Sequence, residues 1–206
     1  MTTSHRYAPP AGRQPAQRQF DHQRIWELSQ PVFEQAAAML AEAVPPADIV
    51  VGIARGGVPL AELVAGRLGV PAVRLRARHN LSDDIYLPAS GDVRIAADEA
   101  AALAAAVTGR RVLVADDICG TGATLMAVMD RMPGLHPAEV RSAVLCRSEA
   151  AAFTPGAWIW DTRDWVVFPW NDPAGQPTEM LGLPRQARTA PETPAGPSPT
   201  RGAAVA

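Results

Sequence analysis

Val112-Leu-Val-Ala-Asp-Asp-Ile-Cys-Gly-Thr-Gly-Ala-Thr-Leu125 joins three signals in fourteen residues. An apolar, strand-like run over 111–115 ends in two adjacent carboxylates, Asp116 and Asp117. A Gly/Thr loop follows, and a helical pattern then runs over 124–132. Neighbouring like charges at a strand end are unfavourable without a partner, so the pair implies a hydroxylated or cationic ligand. The loop from Gly120 through Thr121, Gly122 and Ala123 to Thr124 can expose successive backbone N–H groups at a helix N-terminus. That geometry binds phosphate, and the Thr121 and Thr124 hydroxyls add donors. Carboxylates beside a phosphate cradle suit the diol of a ribose 5-phosphate. Two capping threonines on a solvated turn would explain the Thr-x-x-Thr alone, but not the whole string. No Lys follows the glycines, which excludes a P-loop, and the acids precede the glycines, which excludes the dinucleotide fingerprint.

The flanking sequence alternates strand and helix patterns. Helices are predicted over 27–43, 59–68, 96–108 and 124–132. Pro45 and Pro46 stop the first, and Pro59 and Gly69 bracket the second. Strands are predicted over 48–53, 72–77, 111–115, 140–146, 158–160 and 165–168. This alternation argues for an α/β domain with a mainly parallel sheet flanked by helices. Ligands of such sheets sit beyond the carboxyl ends of the strands.

Composition narrows the class. The chain has 206 residues, 48% of them hydrophobic, enough for one domain with a core and tails. Nineteen basic against twenty-one acidic residues give a formal charge of −2, which argues against binding nucleic acid through overall charge. No run reaches 18 apolar residues, so no membrane partner is expected. The N-terminus lacks an apolar signal core, and a cytoplasmic protein is the expectation. Cys119 and Cys146 are too few for a disulfide framework or a four-cysteine zinc site. Residues 1–20 read as a flexible arm, and 184–206 as a disordered tail. Six prolines from Ala174 onward support the second reading. The compact domain is expected over 21–183.

The fourteen-residue string resembles the phosphoribosyl pyrophosphate (PRPP) signature of type I phosphoribosyltransferases, closest in pattern to xanthine-guanine and hypoxanthine phosphoribosyltransferase-like enzymes. The resemblance runs from about Val50 to Asp172. It implies the fold of that family, with a flexible hood loop. It also implies that Asp116 and Asp117 hold the ribose hydroxyls, while Gly120, Thr121, Gly122, Ala123 and Thr124 wrap the 5-phosphate. The segment from Gly52 to Pro59 reads by itself as a tight strand-to-helix turn. In this order it looks like the family's pyrophosphate loop, where Arg55 and Gly56 meet the leaving diphosphate, often through a non-proline cis peptide. Residues 79–95 occupy the place of the hood, with Arg76 and Arg78 at its start either meeting phosphates or lining a solvated strand. The run Asp164-Trp-Val-Val-Phe-Pro-Trp-Asn-Asp172 resembles the end of xanthine-guanine enzymes. There Trp165 would stack on the base and Val166 would offer backbone groups, with Phe168 in the core. Arg147 stands where relatives use a cation against the purine 6-oxygen, although a strand-end cation needs no ligand.

One position departs from the 6-oxopurine pattern. The residue before Thr121 is Gly120, where those enzymes typically carry an Asp that works as acid/base. A glycine cannot transfer a proton. Either the base is ionised already, another group or water takes the proton, or the acceptor is not an ordinary 6-oxopurine. The implied activity is Mg²⁺-dependent transfer of the phosphoribosyl group from PRPP to a heterocyclic base. Asp116, Asp117 and Arg55 would carry catalysis, and the two acids would serve as metal contacts. A homo-oligomer follows by the same resemblance. The rival reading is a PRPP- or nucleotide-sensing protein without turnover. Cys119 reads as a loop filler.

Overall fold

The computed structural model describes residues 24–76, 97–171 and 179–191. In chain order its elements are β1 (Ile25–Glu27), α1 (Gln30–Ala43), β2 (Ile49–Ala54), α2 (Gly57–Leu68), β3 (Ala72–Arg76) and α3 (Ala97–Val107). They continue with β4 (Arg111–Cys119), α4 (Ala123–Arg131), a 3-10 turn (Met132–Leu135), β5 (Glu139–Ser148) and β6 (Ala157–Thr162). Three short strands end the described chain: β7 (Trp165–Val167), β8 (Glu179–Met180) and β9 (Arg188–Thr189).

Strand side chains alternate between two faces, and this chain fills both with apolar residues. Ile49, Val51 and Ile53 of β2 and Val112 and Val114 of β4 face Leu103 and Val107 of α3 and Leu125 and Val128 of α4. Val50 and Leu113 point the other way, toward Phe33 and Leu40 of α1 and Leu60 and Val64 of α2. A sheet buried on both faces favours parallel strands with helical crossovers. The main sheet has the order β3-β2-β4-β5-β6-β9, parallel throughout except for β9 against β6. Fully burying one such Leu or Phe stabilises the fold by about 1.5–3 kcal/mol. The expected α/β class, a parallel sheet between helices, is therefore what the chain adopts.

A second, smaller sheet has the parallel order β7-β1-β8. Asp164 ties it together, because its Oδ2 accepts from Arg24 Nε at 3.1 Å and from Trp26 Nε1 at 3.0 Å. Phe168 is buried as expected and stacks on Trp170 at 5.2 Å, while Trp170 meets Phe33 of α1 edge-on at 5.0 Å. These rings fasten the small sheet to the helical layer.

Three expectations are corrected. The first helix starts at Gln30 instead of residue 27, because Pro31 opens its first turn and Ile25–Glu27 pairs with β7. Strand β4 does not end before the acids. Its pairing with β5 continues through Cys119 beside Arg147, so Asp116, Asp117 and Cys119 are strand residues. The compact region does not stop at residue 183. Arg188–Thr189 pairs with Ala157 and Trp158 of β6, and the Ala190 N–H donates to Gly156 O at 3.0 Å. An open sheet edge gives partners to a segment whose own composition shows none. The arm at 1–20, the hood segment at 79–95, Arg78, Asp172 and the tail beyond 191 lie outside the described residues.

Candidate functional site

The strands β2 and β4 lie side by side, with Gly52 opposite Ala115, and their carboxyl ends bring the expected residues together. Beyond β2 the chain turns through Arg55 and Gly56 into α2, and the Ala54–Arg55 peptide is cis. A Cβ on Gly56 would overlap the Asp117 carboxyl group, and one on Gly57 would overlap the backbone at Ala115 and Asp116. Glycine at both positions is what lets this loop lie against the acids. Gly52 below them is tight for the same reason, since a Cβ there would stand 2.7 Å from the Cβ of Ala61.

Asp116 is buried and Asp117 is partly so. Asp116 Oδ1 accepts from the Asp117 N–H at 3.0 Å, and Asp117 Oδ1 accepts from the Ile118 N–H at 2.8 Å. Burial, and then the neighbouring Asp117 charge, push the Asp116 carboxyl well above its ordinary range. Burial also raises Asp117. Among the described residues no arginine makes an ion pair with either group. Two buried or half-buried carboxylates with no ion pair to a described residue favour a ligand that brings hydroxyl donors or positive charge.

Past Cys119 the loop reaches Gly122, whose φ of +86° is a left-handed conformation suited to glycine. A Cβ there would stand 2.6 Å from the Cβ of Phe153. Thr121 is held on both sides, with its carbonyl accepting from the Ala152 N–H at 3.0 Å and its Oγ1 from the Ala123 N–H at 3.2 Å. Gly122 caps α4 without a side-chain hydrogen bond, so the positive end of the helix dipole lies at this loop. Gly120, Thr121, Gly122, Ala123 and Thr124 thus form one strand-to-helix turn beside the acids. Cys119 is buried with its Sγ 3.6 Å from Phe153 O, and burial pushes its thiol up to about 12. It is a packed filler, as expected, but at the end of the strand.

Arg147 lies beside Cys119 near the end of β5. Its Nε donates to Asp161 Oδ1 at 2.8 Å, and its guanidinium lies 4.3 Å from the centre of the Trp158 ring. It is neither solitary nor a freely solvated strand-end cation. Trp165 and Val166 sit on β7, which leaves β6 through the turn at Arg163 and Asp164. The Trp165 N–H donates to Arg24 O at 3.3 Å, and Val167 O accepts from Leu28 N–H at 2.9 Å. Backbone groups alternate sides along a strand, so the N–H and C=O of Val166 point away from β1, to the side of β7 that no other described strand pairs.

Asp161 and Arg188 escaped the sequence reading. Asp161 had a signal, since it lies near the carboxyl end of an aromatic strand. Arg188 had none, because its strand forms only against β6.

Comparison with known proteins agrees with this architecture. The phosphoribosyl transferase domain model matches residues 28–173. The purine phosphoribosyltransferase of Pyrococcus horikoshii is 25% identical, with a TM-score of 0.59 over 74% of this chain and 98% of that one. A hypothetical protein of Neisseria gonorrhoeae with bound ppGpp is 19% identical, with a TM-score of 0.57 over 73% and 92%. The xanthine-guanine-hypoxanthine phosphoribosyltransferase of Helicobacter pylori is 22% identical, with a TM-score of 0.54 over 71% and 92%. A domain match across more than half of the chain, on a sheet whose strand ends carry this loop and acid arrangement, leads to one conclusion: the chain belongs to the phosphoribosyl transferase domain family and is a type I phosphoribosyltransferase.

Proposed function

We propose that the chain transfers the 5-phosphoribosyl group of PRPP to a ring nitrogen of a purine or purine-like base and releases pyrophosphate. The observation that carries this reading is the contact of Gly56 with Asp117. It sets the loop after β2 against the acids of β4, where a diphosphate and a ribose on one sugar carbon would also have to meet. The relative from Pyrococcus horikoshii, a purine phosphoribosyltransferase, supports the choice of a purine-like acceptor.

In this reading Asp116 and Asp117 accept hydrogen bonds from the ribose hydroxyls. Gly120 to Thr124 receive the 5-phosphate at the N-terminus of α4. Arg55 and the backbone at Gly56 take up charge on the departing diphosphate. Trp165 stacks on the base, and Val166 and Arg147 address its edge. The bond from the sugar carbon to the diphosphate oxygen breaks, its electron pair leaves with the oxygen, and a ring nitrogen forms the new bond to carbon. The protein's part is to hold both reactants in line and to stabilise the charge that develops.

The acid pair also fits Mg²⁺. Its four carboxylate oxygens are the hard donors that ion takes, and positive charge there relieves the repulsion between the two groups. No group of three or more such ligands stands among the described residues, so substrate oxygens and water would complete the coordination. When bound, the ion would neutralise charge on the diphosphate.

Pyrophosphate release, measured with PRPP across a panel of purines and purine analogues, tests the reading. Release with at least one base is expected. Binding of PRPP without release for any base would replace transfer with ligand sensing. For the described residues, no helix is long and apolar enough to cross a membrane.

A further inference from the structure

Helix α3 has Leu103 and Val107 as its only large apolar residues, and most of its other positions are alanine. It rests on β3 and on the 3-10 turn at Met132–Leu135. Alanine side chains are too short to fill the space toward α4, and a cavity of about 240 Å³ remains there. Leu75 of β3, Ala100 and Leu103 of α3, Val128 and Arg131 of α4, and Met132 of the turn are among its lining. Leu75, Leu103, Val128 and Met132 are buried. None of these residues belongs to the acid pair, the loop after it, the turn at Arg55 or the base edge, so the cavity is separate from the transfer site.

Arg131 is the one charged group in this lining. Its Nη1 is buried and has no hydrogen-bond partner. An arginine suits the last turn of α4, because the helix dipole is negative there. A guanidinium in water would meet that preference equally well, so the dipole does not explain a nitrogen withdrawn from solvent. A guanidinium donates and never accepts. What completes Arg131 is therefore an acceptor, and an anionic one makes the stronger bond.

The size of the cavity and its single charge set the chemistry of its ligand. An apolar cavity of about 150 Å³ holds benzene, so this one has room for about ten non-hydrogen atoms. A nucleotide or a diphosphate is more highly charged than one guanidinium offsets, and it has no use for apolar walls. We infer that the cavity between α3 and α4 binds a small organic monoanion, a carboxylate on an apolar body. The carboxylate meets Arg131, and the body lies against Leu75, Leu103, Val128 and Met132. This site stands independently of the transfer reading, and its test needs no turnover.

Calorimetry on the full chain with octanoate, which matches that size, provides the test, with octanol and octylamine as the neutral and cationic counterparts. Octanoate should bind saturably with a Kd of about 1 mM or tighter. Octanol should bind about tenfold more weakly or worse, and octylamine should not bind. Arg131→Met should weaken octanoate about tenfold or more and melt no lower than the wild type, since it removes a buried donor that has no partner. Arg131→Lys should keep most of the affinity. Ala100→Leu retains a good helix former and should abolish binding by filling the space. No saturable binding of octanoate, octanol bound as tightly as octanoate, or undiminished binding by either Arg131→Met or Ala100→Leu would overturn the proposal. Should Arg131→Met fail to fold, the ranking of the three probes on the wild type and on Ala100→Leu decides the same question.

Discussion

The two ends of β4 handle carboxylates in opposite ways. At the amino end Asp48 meets Arg111 through both oxygens: Oδ2 accepts from the backbone N–H at 2.8 Å and from Nε at 3.1 Å, and Oδ1 accepts from Nη2 at 2.6 Å. That arrangement lowers the Asp48 pKa to about 2, chiefly through the side-chain bond to Arg111. At the carboxyl end Asp116 and Asp117 accept from neighbouring backbone N–H groups and interact with each other, no described arginine pairs with them, and burial raises both. One end of β4 thus supplies an arginine that completes the acid before β2, and the other end carries two acids that no described cation completes. The first is part of the scaffold. The second pair is costly until something else arrives, which is the signature of a site built for a ligand.

The sharpest way to break this contrast is Asp116→Asn with Asp117→Asn. The amides keep the local backbone bonds but lose two charged acceptors, each worth about 1.5–3 kcal/mol to a ligand. PRPP affinity measured by calorimetry should fall about 100-fold or more, and unchanged affinity would remove the ribose assignment. Next in size is Gly56→Ala, whose Cβ must displace Asp117. Turnover should fall about 100-fold while the melting temperature changes little. Full turnover would show that the loop and the acid do not depend on each other.

Trp165→Ala should raise the KM of the base about tenfold, as expected for loss of one stacked ring, and leave PRPP affinity intact. A drop in stability alone would make Trp165 a packing residue. The smallest effect is expected at the other end of β4. The lowered Asp48 contributes stability above its unfolded value of 3.8 and loses it as pH falls through about 2. Asp48→Asn should therefore flatten the acid limb of a melting-temperature profile by a few degrees at most, with kcat and KM unchanged at neutral pH. A loss of activity there would mean that the two ends are coupled.

The sequence made the parallel sheet legible because strands such as 111–115 and 140–146 are apolar on both faces, and punctuation by Pro59 and Gly69 marked the helices between them. The acids and the Gly/Thr loop were legible because their chemistry is local. What stayed hidden depends on distant pairing. The strand around Asp116 and Asp117 is held by β5, where Asp116 pairs with Val144, 28 positions further along the chain. Ile25–Glu27 becomes a strand against Trp165–Val167 and Glu179–Met180, and Arg188 reaches Asp161 because the edge of β6 receives its strand. A short polar segment carries no pattern that reveals a partner of that kind.

The acid pair's raised values also fix a sign. Groups raised by folding support the fold below their unfolded range and withdraw that support as pH rises through the folded values. Melting temperatures of the wild type and the Asp116→Asn/Asp117→Asn protein at pH 7.5, each with and without Mg²⁺ and PRPP, therefore test the account directly. The empty variant should melt above the empty wild type by about 2–4 °C for each kcal/mol of strain relieved, and only the wild type should gain further from the ligand. A variant that melts lower when empty, yet still gains as much from PRPP, would contradict it.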